Sequence, residues 1–378
     1  MKLSLAVPGR TELAGNHTDH QGGRVLAAAV ELFIRAEAET TGENTAVLLS
    51  EGFGELHIDL ADLRPERSAP GSAEALARGT MEYLQKQGCA LGGFRASLRS
   101  EIPAGAGLSS SAAFGVMTGR LVSELFNGGA VPPVTLALAA QYGENAHFGK
   151  PCGLMDECAC ALGGVSFLDF RDPVPRVETI ESGLFAPEWR LLLAATGGSH
   201  RDLTAEYAAI PAEMKAVAAF FGKERLRDVA EGDFFAALPE ARRACGDRAA
   251  LRALHFFEED RRVPEMAEAL RKSDAAAYLR LMDASGRSSA ENLQNSFALD
   301  HPENQPIPLA LALCRRVLGK EGAARVHGGG FGGMVQVLCP AARVSPLRET
   351  LEGVFGRGCL RELRVAKTQR AVPLAEMR

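Results

Sequence analysis

Ile102-Pro103-Ala104-Gly105-Ala106-Gly107-Leu108-Ser109-Ser110-Ser111-Ala112-Ala113-Phe114 joins a strand pattern to a helix pattern through a loop suited to anions. Upstream, Phe94, Ala96 and Leu98 alternate with Arg95, Ser97 and Arg99, the period of a half-buried strand. Downstream, Phe114, Met117, Leu121 and Leu125 recur at helical spacing over Ala112 to Phe126. Gly105 and Gly107 let the backbone approach a ligand, and Ser109, Ser110 and Ser111 bring hydroxyls and N–H groups to a helix N-terminus, where the dipole favours negative charge. An ordinary serine N-cap after a glycine turn has the same pattern. No Lys follows the glycines, so this is not a Walker loop; Gly143 to Lys150 has the wrong spacing and runs into Pro151.

At 378 residues the chain exceeds one ordinary core, and two domains are expected, with the change near Phe167 to Pro175: residues 1–175 and 176–378. Apolar content of 46% and charged content of 24% are those of a globular protein, and no run reaches the ~20 apolar residues that span a bilayer. A net charge of −5 with mixed signs argues against a nucleic-acid surface. The N-terminus lacks the long apolar segment of a secretory signal, so a cytoplasmic location and reduced thiols are expected. Cys152, Cys158 and Cys160 match no common zinc spacing, and all eight cysteines read as small, mostly buried residues.

Alternation up to Val7, ahead of Pro8-Gly9, and again from Ile34 to Ala38 opens the chain with strands, and Val47 to Leu60 reads as a hairpin about Glu51-Gly52-Phe53-Gly54. Helices are expected at Ala73 to Lys86 and Val134 to Phe148, then a strand at Leu191 to Ala195. The second half reads as helices Ala212–Phe221, Phe235–Cys245, Leu251–Leu270, Ala275–Ser285 and Pro308–Leu318, closed by a strand Val335–Leu338.

Three further stretches carry chemistry. Gly9 to Gly23 packs polar groups and glycines between strand patterns; a metal cluster of His17, Asp19 and His20, a self-satisfied polar turn and a sugar site are its three readings. The last fits best, because a carboxylate such as Asp19 accepts from two vicinal hydroxyls while Arg10 supplies fixed positive charge. Glu144 to Asp156 offers two carboxylates; Asp156, among Leu154 and Met155, needs a partner, for which Arg10 is the candidate. Arg325 to Gly333 formally contains GxGxxG, but an apolar strand pattern follows it, so the glycines read as a turn of close backbone approach.

Together these stretches resemble the GHMP small-molecule kinases and, within them, the galactokinases: Pro8-Gly9-Arg10 with Gly15 and His17-Thr18-Asp19, then Pro103 to Ala113, Pro151 to Asp156, and Gly328 to Gly333, in that order. The resemblance spans nearly the whole chain. It implies an α+β two-domain GHMP kinase fold with the active site in the interdomain cleft, using ATP and Mg2+ to phosphorylate the anomeric hydroxyl of galactose, as a monomer. A galacturonokinase-like sugar-acid kinase and a non-catalytic galactose- and ATP-binding regulator are the alternatives. By the same resemblance Asp156 and Arg10 are catalytic. Asn16, His17, Asp19, Gly153 and Tyr207 match sugar-contacting positions. Gly105, Gly107, Ser109, Ser110 and Ser111 match the ATP-phosphate loop, and Ser111 and Glu144 the magnesium ligands.

The chain departs from that pattern in four places. Asn16 and Gly115 stand where Glu is usual, Gly286 where His is usual, and the chain begins almost at the first motif. The last departure puts an edge strand or lid contact outside expectation. Asn16, being neutral and able to donate, is expected to ease entry of a sugar bearing a C6 carboxylate.

Overall fold

The computed structural model describes residues 1–51, 54–103, 105, 107–150, 152–185, 188–197, 203–299 and 301–367. Strands β1 (Lys2–Ala14) and β2 (Arg24–Thr40) precede the hairpin of β3 (Thr45–Ser50) and β4 (Gly54–Asp59). Helix α1 (Ala73–Lys86), strand β5 (Phe94–Ser100) and helices α2 (Ser110–Phe126), α3 (Pro133–Tyr142) and α4 (Met155–Leu162) follow. The strands lie in the order β4-β3-β5-β2, antiparallel except for the parallel β3–β5 pair. Alternate residues Phe94, Ala96 and Leu98 of β5, with Ile34, Ala36 and Ala38 of β2, are buried, and the Phe94 ring stands 6.3 Å from that of Phe126 in α2. Helix α1 begins where its cap is: Ser72 accepts from the Ala75 amide. Of the expected hairpin turn, Gly52 and Phe53 lie outside the described residues, while Ser50 pairs with Gly54 across it.

Strand β1 runs on through Pro8-Gly9. Extended backbone tolerates the fixed φ of proline, and the bare Gly9 backbone admits the Leu108 carbonyl, which a Cβ would approach to 2.8 Å. The expected helix Val134–Phe148 keeps α-helical form only to Tyr142 and continues as a wider π-helical turn, Gly143–Phe148. Gly143 packs against α1, where a Cβ would lie 2.6 Å from the Leu76 carbonyl oxygen.

The chain continues with the antiparallel pair β6 (Val165–Asp169) and β7 (Arg176–Ile180), strand β8 (Trp189–Ala195) and helices α5 (Thr204–Phe220), α6 (Glu231–Ala236), α7 (Leu238–Cys245), α8 (Asp247–Arg271), α9 (Ala275–Ser288) and α10 (Pro306–Leu318). It closes with β9 (Ala323–Val326), β10 (Met334–Pro340), α11 (Val344–Phe355) and β11 (Leu360–Leu363). Where one helix, Phe235–Cys245, is expected there are two, because Pro239 stands in the first turn of α7, the one place in a helix that needs no N–H. A four-stranded antiparallel sheet has the order β11-β8-β10-β9. Leu192, Val335 and Val337 from this sheet pack with Leu311 and Cys314 of α10 and Leu347 and Leu351 of α11. A separate core joins Ile210, Met214 and Val217 of α5 to Phe234 and to Phe256 and Phe257 of α8, and takes in Phe331 from the β9–β10 connection.

The chain forms two compact units interleaved in sequence: Met1–Arg10, Ala28–Gly164 and the described residues after Val365 make one; Thr11–Ala27 and Val165–Val365 make the other. The long strands β1 and β2 run from one to the other, so these units differ from consecutive stretches meeting at residue 175. Among the described residues no helix is long and apolar enough to cross a membrane.

Candidate active site

In the first unit the site is built around an ion pair between the start of the chain and α4. Arg10, on β1, donates from Nε to Asp156 Oδ1 and from Nη2 to Asp156 Oδ2, each at 2.6 Å, and from Nη1 to the Gly107 carbonyl at 2.6 Å. This two-pronged geometry is specific to a guanidinium and fixes both partners. The Arg10 amide also donates to the Leu108 carbonyl at 3.1 Å, so the glycine loop is held at two points by one residue. The arginine side chain is 8% exposed and the aspartate 31%, which leaves the carboxylate an open side.

Burial pushes the Asp156 carboxyl up, but the Arg10 charge and its hydrogen bonds outweigh this and hold it below the ordinary carboxylate range. The group is therefore ionised at neutral pH. Ser109 adds a hydroxyl donated to Asp156 Oδ2. Ser109 occupies the N-cap position of α2 with φ 54°, a left-handed conformation that a non-glycine residue rarely takes, and its side chain makes no capping bond. An ordinary serine cap would have used that hydroxyl on the helix. The N-terminus of the 17-residue α2 is left without a side-chain cap, and Ser110 and Ser111 lie in its first turn. Gly105 and Gly107 both have positive φ, 72° and 67°. Ala104 and Ala106 lie outside the described residues, as does Pro151 in the loop leading to Asp156.

Ser111 is half-buried, and its hydroxyl makes no hydrogen bond among the described residues. Glu144, in the π-helical turn, is buried, with Lys150 Nζ 3.9 Å from its carboxylate. No hydrogen bond joins Ser111 and Glu144. Gly153 lies half-buried in the segment before α4. Gly115 is the contact of α2 with α3, where a Cβ would meet that of Ala140 at 2.8 Å, so a Glu has no room there.

The second unit holds the polar turn that follows β1. Gly15 turns it with φ 91° in a place where a Cβ would meet the Arg24 carbonyl at 2.4 Å. Its amide donates to Glu259 Oε1 of α8 at 3.0 Å. Asn16 is wholly buried: its Nδ2 donates to the Gly328 carbonyl at 2.6 Å and to the Glu12 carboxylate at 3.2 Å, and its Oδ1 accepts from Asn295 at 2.8 Å and Ser289 at 3.3 Å. Its amide is thus engaged within the protein. The expectation that it donates to a C6 carboxylate loses its basis, because a buried amide with every polar atom paired has nothing left to offer a ligand.

His17 Nε2 lies 3.0 Å from the Gly329 carbonyl and Nδ1 3.3 Å from His20 Nε2. Burial lowers the basicity of His17 and pushes His20 down to about 3, so both imidazoles are neutral. Asp19 opens a 3-10 turn, Asp19–Gln21, half-buried. Tyr207, on α5, donates to the Gly330 carbonyl at 2.6 Å, and its ring stands edge-on to Phe331 at 5.3 Å. Burial raises its phenol to about 12.

The β9–β10 connection is the glycine hairpin expected from the strand pattern after it, and it delivers three successive carbonyls, of Gly328, Gly329 and Gly330, to Asn16, His17 and Tyr207. A Cβ at Gly329 would stand 2.7 Å from the Tyr207 ring, and one at Gly330 2.2 Å from the Asn295 carbonyl. Gly286 serves a like purpose in α9, whose backbone a Cβ would push against Arg325 at 3.0 Å.

The sequence did not single out the buried polar residues beneath this turn. Arg325 is ion-paired with Glu12 and donates to the Leu13 carbonyl at 2.8 Å; Gln336 Nε2 donates to Thr11 Oγ1 and the Glu12 carbonyl, both at 2.8 Å; His327 Nε2 sits 2.8 Å from Thr11 Oγ1. Glu12, Arg325 and His327 lie inside stretches notable for their glycines, and a charged residue at an inward position of a strand is the only signal that marks them. Glu259 is a second such anchor. Burial alone would raise its pKa, but Arg262, then His255 and Arg325, pull it down to about 2. Below the ordinary value of 4.5 unfolding takes up a proton that the folded state refuses, so this stabilisation is complete above pH 4.5 and is lost as pH falls towards 2. On the order of 3 kcal/mol is involved. The stability gap between wild type and Glu259→Gln, measured by urea unfolding, is expected to narrow from pH 7 to pH 3; a gap constant with pH contradicts the assignment.

Comparison with known proteins agrees with these motifs. Residues 4–39 match the model of the galactokinase galactose-binding signature and residues 75–164 that of the GHMP kinases N terminal domain. The chain is 34% identical to the galactokinase of Streptomyces coelicolor over 99% of this chain and 93% of the relative, and 28% identical to that of Mannheimia succiniciproducens over 93% and 88%. Among solved structures it is similar to Lactococcus lactis galactokinase complexed with galactose, with a TM-score of 0.83 at 22% identity over 98% of this chain and 95% of the other. A mevalonate kinase shares the fold at a TM-score of 0.65, with 18% identity over 97% and 99%.

Proposed function

Since the chain belongs to the galactokinase family of GHMP kinases, we propose that it transfers the γ-phosphoryl group of ATP to the anomeric hydroxyl of galactose, giving galactose 1-phosphate. The observation that carries this reading is the grip of Arg10 on Asp156 beside the uncapped N-terminus of α2. An ionised carboxylate with an open side accepts a hydrogen bond from an acceptor hydroxyl and so aims its oxygen. Its depressed basicity suits a loose transition state, in which the hydroxyl gives up its proton late. Arg10 keeps that charge in place, and the free N–H groups of α2, with the backbone at Gly105 and Gly107 and the hydroxyls of Ser110 and Ser111, receive phosphate oxygens. Ser109 acts through Asp156 and shares the loop.

His17, Asp19, Gly153 and Tyr207 are assigned to the sugar, with neutral imidazole and carboxylate suited to hydroxyls. Asn16 is assigned a positioning role, through Gly328, Glu12 and Asn295. Ser111, a hydroxyl without a partner among the described residues, and Glu144, a buried carboxylate, are hard oxygen donors that fit Mg2+. Bound there, the ion neutralises the charge on the phosphates of ATP.

A screen of monosaccharides with radiolabelled ATP and magnesium tests the reading. Label is expected in galactose 1-phosphate, with galacturonate a poor acceptor. Galactose and ATP binding by calorimetry without label transfer would replace the enzyme by a silent ligand-binding regulator.

A further inference from the structure

Beside the Arg10–Asp156 pair lies a second group of ligand-type side chains, of which the phosphoryl-transfer reading uses Glu144 alone. Glu144 from the π-helical turn, Cys152 from the segment before α4 and Glu157 from the first turn of α4 each offer one ligand atom, and all three atoms lie within 4.8 Å of one another. Glu157 is 1% exposed and Glu144 3%. Glu157 Oε1 accepts from the Cys152 thiol at 3.6 Å, while its Oε2 is buried with no hydrogen-bond partner among the described residues. Lys150 Nζ lies 3.9 Å from Glu144, and Asp156 next in sequence is already matched by Arg10. Two buried carboxylates beside one exposed lysine carry an excess of negative charge, an arrangement that is expensive unless a cation or protons fill it.

The donor set says which cation. Zinc holds sulfur at about 2.3 Å and carboxylate oxygen at about 2.1 Å, and at a tetrahedral angle these lengths set sulfur and oxygen about 3.6 Å apart. The Cys152–Glu157 separation is that length. A thiolate favours a borderline ion over Mg2+, which takes oxygen alone. We propose that Glu144, Cys152 and Glu157 form a site for a borderline divalent ion, typified by Zn2+, with a fourth position open to solvent. Loading replaces the Cys152 S–H bond by a sulfur–metal bond and releases the proton to solvent. On the proposed role of Glu144, the same ion competes with magnesium and inhibits transfer; binding itself does not depend on that role.

The test uses the full chain, stripped with a chelator and titrated with Co2+ without nucleotide. One equivalent is expected to raise a near-ultraviolet sulfur-to-metal charge-transfer band, which Zn2+ then displaces. Cys152→Ser is expected to abolish the band, and Glu157→Gln to weaken binding by about tenfold or more, as when a carboxylate around a metal is lost. Alkylation of wild type, read by peptide mass, checks the site without a variant: Zn2+ should protect Cys152 and leave Cys89 unaffected. No band in folded wild type, a band that survives Cys152→Ser, or no protection of Cys152 would each overturn the proposal.

Discussion

Asp156→Ala is expected to lower turnover by roughly 10²–10⁴-fold, the span usual for a positioned acid–base group, while ATP affinity stays within a few-fold of wild type. The asymmetry follows from the geometry. The carboxylate is bound from one side by Arg10 and Ser109 and open on the other, so what it loses is the acceptor hydroxyl. The glycine loop keeps its hold on Arg10 through the Gly107 and Leu108 carbonyls. Removal of the carboxylate also leaves the Arg10 charge without its main partner, which destabilises the fold by an amount that partial exposure of Asp156 keeps below that of a buried pair. Asp156→Asn separates the two effects, since it keeps the shape and loses the charge. Steady-state rates with ATP binding measured by calorimetry decide it: a rate within a few-fold of wild type in a folded Asp156→Ala would remove Asp156 from the chemistry.

Arg325→Met is expected to destabilise the second unit by about 3–5 kcal/mol, the loss typical when one member of a buried ion pair is removed. Arg325 is wholly buried and Glu12 2% exposed, so the remaining carboxylate has no water to turn to. Glu12 still accepts from Asn16 Nδ2, a neutral donor shared with the Gly328 carbonyl. Disturbing Glu12 therefore reaches Asn16, Asn295 and the glycine hairpin, and affinity for sugar should fall together with stability. The double variant Glu12→Gln with Arg325→Met is expected to recover a substantial part of the lost stability, because the buried charge of Glu12 is then removed together with that of Arg325. Urea unfolding of the four proteins measures this. A loss under about 1 kcal/mol in the single variant, or no recovery in the double, would show that the pair is not the anchor of the turn.

The helix at Ala73–Lys86 and the strand–glycine–strand reading of Arg325 to Leu338 were legible because each depends on neighbours in sequence: a serine cap with an apolar period, and glycines followed by an apolar strand. The serine loop was legible as a helix start but not in its detail. Ser109 turns into a left-handed conformation and gives its hydroxyl to Asp156, 47 residues away, instead of to the helix. The same limit explains the strand through Pro8-Gly9 and the π-helical turn at Gly143. In both, a missing Cβ lets distant backbone approach, and local propensity carries no record of that neighbour.

By itself the sequence determined the order of the motifs, the pairing of residue types that makes Arg10 the partner of an otherwise costly Asp156, and the place of the chain among the GHMP kinases. These rest on chemistry that individual residues and short spacings carry. Tertiary structure alone decided what each side chain is used for. Asn16 meets Glu12, Gly328 and Asn295; Glu12 meets Arg325 across 313 residues; Glu144, Cys152 and Glu157 converge within 4.8 Å. The reason is physical. The energy of a buried polar group is set by the partners that replace its water, and those partners come from parts of the chain that only folding brings together.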